Sequence, residues 1–361
     1  MNALINLAGL AVSGYSFFDV LKSQDVDTDK VIGVTVLTGS APNAGGSIPH
    51  LAVFDENGDR IGQYKGDADG HINEDGTKTF SISPTQNGGK QASPDYLLMA
   101  MHENDALCIT AIIVSGNSHQ WAWTGDMAYT CDAQWYHSKR SYGSSNVPIR
   151  CAWFDADHSN GIKAKGLTIH LPSFATDDAL LQQYKDKPER LCRNTRRMTF
   201  HPEIRPDDLV TFFRPPPEYT MTGAMKDPDQ ENDRDTNAYP DGKGKREHAR
   251  EWVRRNVTAV GVSGLKNNNP DLLIVSRQSH SARELCEHPM SLGPDFVDVP
   301  EKTFCDMETG RTWPLCEEAS AGPCFDLGNR QMKYPSLASS TAPGVAKFAA
   351  RVKTYKSFEE W

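Results

Sequence analysis

Eight cysteines stand in two sets of four: Cys108, Cys131, Cys151 and Cys192, then Cys286, Cys305, Cys316 and Cys324. Between the sets, residues 214–255 are proline-rich at their start and highly charged thereafter. Proline bars a regular helix there, and the middle has too little apolar surface to offset the entropy of ordering. An even count split by such a tract implies two separately stapled units in an oxidising compartment. This constrains architecture and is silent on chemistry.

A chain of 361 residues accommodates two domains, and 38% hydrophobic content supplies ordinary cores. The net charge of −9 argues against nucleic acid as a partner, because phosphate binding needs a concentrated positive face. The basic cluster Arg193, Arg196 and Arg197 is short and sits among acids. The opening run MNALINLAGLAVSGYSFFDVL has no acid before Asp19. It has the length of a secretory h-region, with Val12 and Gly14 at the −3 and −1 positions of a cleavage after residue 14. No Lys or Arg follows Met1, so a buried first element is the competing reading. No other run approaches the ~20 apolar residues of a membrane span, so the mature protein is expected to lack one.

Residues 30–192 read as a mainly β domain, an antiparallel β-sandwich or jelly roll. The clearest strands are VIGVTVLTG (31–39), HLAVFD (50–55), TFSIS (79–83), DYLLMAM (95–101), ALCITAIIVSG (106–116) and GLTIHLPSF (166–174). Turn residues separate them, notably Asp55-Glu56-Asn57-Gly58, a hairpin signal. A short helix is expected over 176–187, between Thr176 and Pro188. Residues 193–255 read as a charged, Pro-rich linker or long loop. From 256 to 361 a smaller, disulfide-stabilised, loop-rich α+β unit is expected. Its strands are VTAVGVSG (257–264) and LLIVS (272–276), and its helix (279–288) carries the capping-box pair Ser281 and Glu284. Val345, Phe348, Ala349 and Val352 give the tail helical spacing.

Two acidic loops resemble calcium ligand sets. Residues 67–75 alternate oxygen-bearing side chains, and Asp155, Asp157 and Ser159 open a second loop in the same manner. Neither completes an EF-hand, and Asx-rich turns between strands are the favoured explanation of both; the second loop, next to Cys151, is the better of the two metal candidates. Calcium is the only cofactor suggested. The histidines form no H-x-x-x-H or H-E-x-x-H pair for zinc. No G-x-S-x-G elbow appears, and the serines around His280 are explained by helix capping. Paired carboxylates for glycosidase chemistry leave no local signature.

Aromatic residues crowd the span from Cys108 to Cys151, among them Trp121, Trp123, Trp135 and Tyr136. Trp121 and Trp123 are two apart and share one face of a strand. Such a face either stacks sugar rings or fills a sandwich core. Asn256-Val257-Thr258 is the only glycosylation sequon.

Trp123-Thr124-Gly125-Asp126, Cys131, Trp135-Tyr136 and the run from Cys151 to Ile162 together resemble uncharacterised, cysteine-containing secreted proteins of filamentous fungi. Leu285-Cys286, residues 293–297, Phe304-Cys305-Asp306-Met307 and Trp313-Pro314-Leu315-Cys316 extend the resemblance over roughly 95–174 and 272–327. It implies secretion and a fungal source, and assigns no activity or catalytic residue.

The leading expectation is therefore a secreted binding protein of a cell wall or host surface. Its ligand would be polysaccharide or another surface molecule, and Trp121, Trp123, Trp135 and Tyr136 its contacts. A secreted hydrolase using Asp126, Asp155, Asp157 and His158 is the alternative, and a structural wall or spore-coat component a further one. The oligomeric state stays open. For the disulfides, Cys108–Cys131 with Cys151–Cys192 is the preferred pairing of the first set. In the second set, Cys286–Cys316 with Cys305–Cys324 competes closely with Cys286–Cys305 and Cys316–Cys324.

Overall fold

The computed structural model describes residues 31–213, apart from 68, 90–92, 118, 142–146, 175–183, 185–190 and 193–195, together with 266–334, apart from 318–321, and 353–361. The leader (1–14), most of the 176–187 helix, the tract after 213, Asn256, the 257–264 strand and the tail helix all lie outside these residues. The chain divides into two compact units, Met1–Arg254 and Arg255–Trp361.

The first unit is built on two antiparallel sheets. One contains β1 (Ile32–Thr38), β6 (Thr77–Ile82), β8 (Leu107–Gly116), β9 (His119–Thr124), β10 (Trp135–Tyr136) and β11 (Cys151–Phe154), ordered β10-β11-β8-β1-β6. The other contains β3 (His50–Phe54), β4 (Arg60–Tyr64), β7 (Tyr96–Ala100), β12 (Gly166–His170) and β13 (Met198–His201), ordered β13-β12-β7-β3-β4. A short ribbon pairs β2 (Gly46–Ser47) with β5 (His71–Ile72). The central strands β1, β3, β7 and β8 are buried along their whole length, as their nearly unbroken apolar runs require. Between the sheets Tyr64 meets Phe80 at 4.7 Å, Phe154 meets Phe200 at 5.7 Å, and the Trp123 indole N–H points at the Met198 sulfur, 3.3 Å away.

One edge of β8 is shared by two strands. β11 pairs with its first residues, Leu107–Ile109, and β9 pairs with Ala111–Gly116. Gly125 marks the changeover, where a Cβ would lie 2.3 Å from the Arg150 carbonyl oxygen and 2.6 Å from that of Ile109. Only glycine permits so close a backbone approach. The hairpin at Asp55–Gly58 forms as expected: the Asp55 carboxylate accepts the N–H groups of Asn57 and Asp59, both at 2.9 Å, and Gly58 takes φ +88°.

The domain extends past its expected limit at residue 192. β13 is a true edge strand, and Ile204, Val210 and Phe213 pack on the outer face formed by Ala52, Phe54, Tyr96, Leu98 and Ala100. The Phe213 N–H donates to the Tyr96 hydroxyl at 2.9 Å. Residues through 213 thus belong to the first unit and are not linker. Short length hid β13, which has only four residues.

The second unit is more regular than a loop-rich reading of its cysteine segment implies. A five-stranded sheet, ordered β17-β16-β15-β14-β20, contains β14 (Leu272–Ser276), β15 (Asp295–Asp298), β16 (Thr303–Asp306), β17 (Arg311–Pro314) and β20 (Ser357–Glu360). β14 runs parallel to both β15 and β20, and the remaining pairs are antiparallel. A small ribbon joins β18 (Cys324–Asp326) to β19 (Gln331–Lys333). The helix after β14 spans Ala282–Glu287, and the Ser281 hydroxyl accepts the Glu284 N–H at 3.1 Å, the expected cap. Leu273, Val275, Val297, Phe304, Leu315 and Phe325 form its core, with the rings of Phe304 and Phe325 stacked at 4.0 Å.

Four disulfides form: Cys108–Cys151, Cys131–Cys192, Cys286–Cys305 and Cys316–Cys324. No bond crosses between the sets. The preferred pairing of the first set is overturned, because β11 enters beside β8 and brings Cys151 to Cys108. Cys131, at the end of the helix α1 (Asp126–Thr130), is left for Cys192. In the second set the competing alternative forms, since Cys305 and Cys286 lie on a strand and helix that pack together. Four such bonds fit an extracellular protein. No helix among the described residues is long and apolar enough to cross a membrane.

Candidate ligand cleft

The aromatic residues expected as a contact face are core. Trp121 lies opposite Val114 and Trp123 opposite Ile112, so strand alternation turns both indoles toward the second sheet. Trp121, Trp123, Trp135 and Tyr136 are all buried and cannot stack a ligand. Trp135 is covered by Arg150, whose guanidinium lies 5.2 Å from its ring centroid and 4.6 Å from that of Tyr129. The same guanidinium pairs with Asp126 at 2.9 Å. Asp126 is buried and tied to this cation, a structural role that removes it from a hydrolytic site.

The loop after β11 is a set of Asx turns. Asp155 is fully buried, its Oδ2 accepting the Ser159 hydroxyl at 2.7 Å and its Oδ1 the Asp157 N–H at 3.4 Å. The Asp157 carboxylate accepts the Ser159 N–H at 2.9 Å. Burial pushes the Asp155 carboxyl up, while hydrogen bonding from the Ser159 N–H holds exposed Asp157 down. His158 adopts the left-handed conformation, donates from Nδ1 to the Ile162 carbonyl at 3.1 Å, and faces Glu203 at 3.4 Å. Asp155, Asp157 and Ser159 spend their oxygens on one another and on backbone, so the turn reading replaces calcium here.

The earlier acidic loop disperses its oxygens in the same way. Asp67 accepts the Asp69 N–H, Glu74 the Asn43 N–H, and Asp75 both Ser40 and Arg140. Among the described residues no group of three or more His, Cys, Asp or Glu is placed to hold a metal ion. Near His280, capping accounts for Ser281 alone; Ser276 hydrogen-bonds the ring, 2.6 Å from its Nδ1. Ser276 is fully buried, so this pair braces the interior and offers no accessible nucleophile.

A cleft of about 380 Å³ opens instead beside the Cys131–Cys192 disulfide. It is lined by three separate segments, which contribute Asp132, Ala133 and Gln134, then Lys163 and Ala164, then Arg196, Thr199, Phe200 and Pro202. Gln134 fixes the geometry: its amide donates to the Gly161 carbonyl at 3.0 Å and accepts the Lys163 N–H at 3.1 Å. The loop containing Asp155 and His158 is thereby tied to the cleft without lining it. Lys163 and Arg196 are exposed, and Phe200 is half-buried. Among the described lining residues the only carboxylate is Asp132.

Two exposed cations on a cleft that Ala133, Ala164 and Phe200 also line can pair with anionic groups beside apolar surface. They do not supply the two facing carboxyl groups that glycoside hydrolysis uses. Sequence reading missed the cleft because its charges come from separate exposed segments. The Cys131–Cys192 bond brings 131–134 beside 196–202, and that pairing is itself set by the fold. No protein-family model matches the chain, and no curated protein shows significant sequence similarity to it.

Proposed function

We propose that the chain is a secreted, disulfide-braced binding protein of a cell wall or host surface, and that the cleft beside Cys131–Cys192 takes an anionic polysaccharide. The presence of two exposed cations, Lys163 and Arg196, on the lining of one cleft carries this reading. The resemblance to secreted fungal proteins and the four disulfides support the location. The binding role is favoured over hydrolysis because Asp126 and Asp155 are committed to buried structural bonds.

The test is retention on immobilised polygalacturonate, with a neutral β-glucan as control. Wild type should bind the acidic polymer in a salt-sensitive manner. Lys163→Glu combined with Arg196→Glu should weaken it about tenfold, since each exposed pair contributes up to ~1 kcal/mol. Equal binding by the folded variant, or no retention of wild type, removes the cleft as the site.

A further inference from the structure

In the second unit four donors converge on one buried carboxylate. Asp295 opens β15 with no exposed surface. Its Oδ1 accepts the Met307 N–H at 2.8 Å and the Asn267 amide at 2.9 Å. Its Oδ2 accepts the Tyr355 hydroxyl at 2.6 Å and the Lys353 ammonium at 2.8 Å. The same ammonium touches Asp306 and lies 3.6 Å from Glu308. Lys353 and Asp306 are themselves largely buried.

This arrangement exceeds what an ion pair needs. The two donors on Oδ1 form an oxyanion hole for a tetrahedral centre at Cγ. The amine is held against the other oxygen, within reach of Cγ, which removes most of the entropic cost of attack. A second carboxylate, Asp306, stands at the amine as a base. We propose that Lys353 and Asp295 are joined by an intramolecular isopeptide bond, with Asp306 shuttling the proton.

The Lys353 Nζ–Cγ bond forms as the Cγ–Oδ2 bond breaks. The ammonium gives up two protons, relayed by Asp306, and both leave on Oδ2 as water. One ammonium and one carboxylate become one amide and one water; Asp306 ends as it began, and no oxidant or further reactant is consumed. The environment favours this direction, because an amide carries no buried charge. Burial also pushes the Asp295 carboxyl up, toward the neutral acid that attack requires. On Lys353 burial acts downward, yet Asp295 and Asp306 hold it above its ordinary value, so loss of its proton needs the base beside it.

Mass spectrometry of the full chain, reduced and denatured, tests the bond. After allowing for the substitution, wild type should be lighter than Lys353→Arg by one water, and Asp306→Asn should retain that water or lose it slowly. A protease digest of wild type should contain a branched peptide joining the segments around Asp295 and Lys353. That peptide decides the matter even if a variant misfolds. Folded wild type with no branched peptide overturns the proposal, as does a water loss that persists in Lys353→Arg.

Discussion

The two units solve the problem of closure differently. The first unit ties distant parts of the chain, with disulfides spanning 43 and 61 residues, and fills the space between its sheets with large rings. The second unit staples locally, over 19 and 8 residues, and buries an ionic cluster beside a modest apolar core. A small unit has too little interior to rely on apolar burial alone. Its last strand, β20, is held by Lys356 on Asp271 and by Trp361 packing on Phe296 and His280, in addition to ladder bonds. Closure in the first unit is therefore a property of its core, and in the second a property of particular side chains.

Three measurements would break or sharpen this contrast. The largest effect belongs to Trp123→Ala, which empties the space between the sheets and should cost about 3–5 kcal/mol. Calorimetry should show the first unit's transition falling while the second's stays in place; a joint shift would mean the units do not melt separately. Next come the disulfides. Replacing Cys131 and Cys192 by serine should cost ~4 kcal/mol by loop-closure entropy, against ~2.5 kcal/mol for Cys316 and Cys324. Denaturant titration of the two variants would show this order, and equal losses would refute an entropic origin of the difference.

The smallest effect is one of pH. Asp298 is buried at the end of β15, one oxygen taken by the Glu301 N–H at 2.8 Å and the other without a hydrogen-bond partner. Burial pushes its carboxyl up to about 6 from an ordinary 3.8. The folded state therefore binds a proton that the unfolded chain has released, so Asp298 favours folding increasingly as pH falls from 7 toward 4. Between pH 7 and 5 the gain is about 1 kcal/mol. His170 in the first unit acts in the opposite sense: burial first, then Arg197, lowers it to about 3, so its contribution is lost as pH falls below 6.5. Asp298→Asn should flatten the second unit's profile and raise its melting temperature at neutral pH. An unchanged slope would assign the dependence elsewhere.

Where runs were long and apolar, the sequence disclosed the fold. IGVTVLT, HLAVF, YLLMA, LCITAIIVSG and LLIVS are all strands because each is a short apolar run buried on both faces, and all but YLLMA contain β-branched residues. β11, β13 and β15–β17 have four residues each, too few to display a period, and their partners are set by contacts far away in the chain. The disulfide pairing failed for the same reason: joining Cys108 to the next cysteine ignored a strand that returns to β8 and places Cys151, 43 positions along the chain, beside Cys108. The four aromatics were legible as important and ambiguous in direction. Pairing with β8 turns Trp121 and Trp123 inward, and that pairing is a tertiary fact.

The parallel pairing of β14 with β20 has a mechanical consequence. These are the first and last described strands of the second unit, and Leu272–Val275 align with Ser357–Glu360. Tension entering before β14 and leaving after β20 pulls the two strands lengthwise past each other. Their hydrogen bonds then resist together, where an antiparallel pair pulled from its open end would yield one bond at a time. A molecule fixed to a surface by one end and to a polymer by its cleft would meet that kind of load.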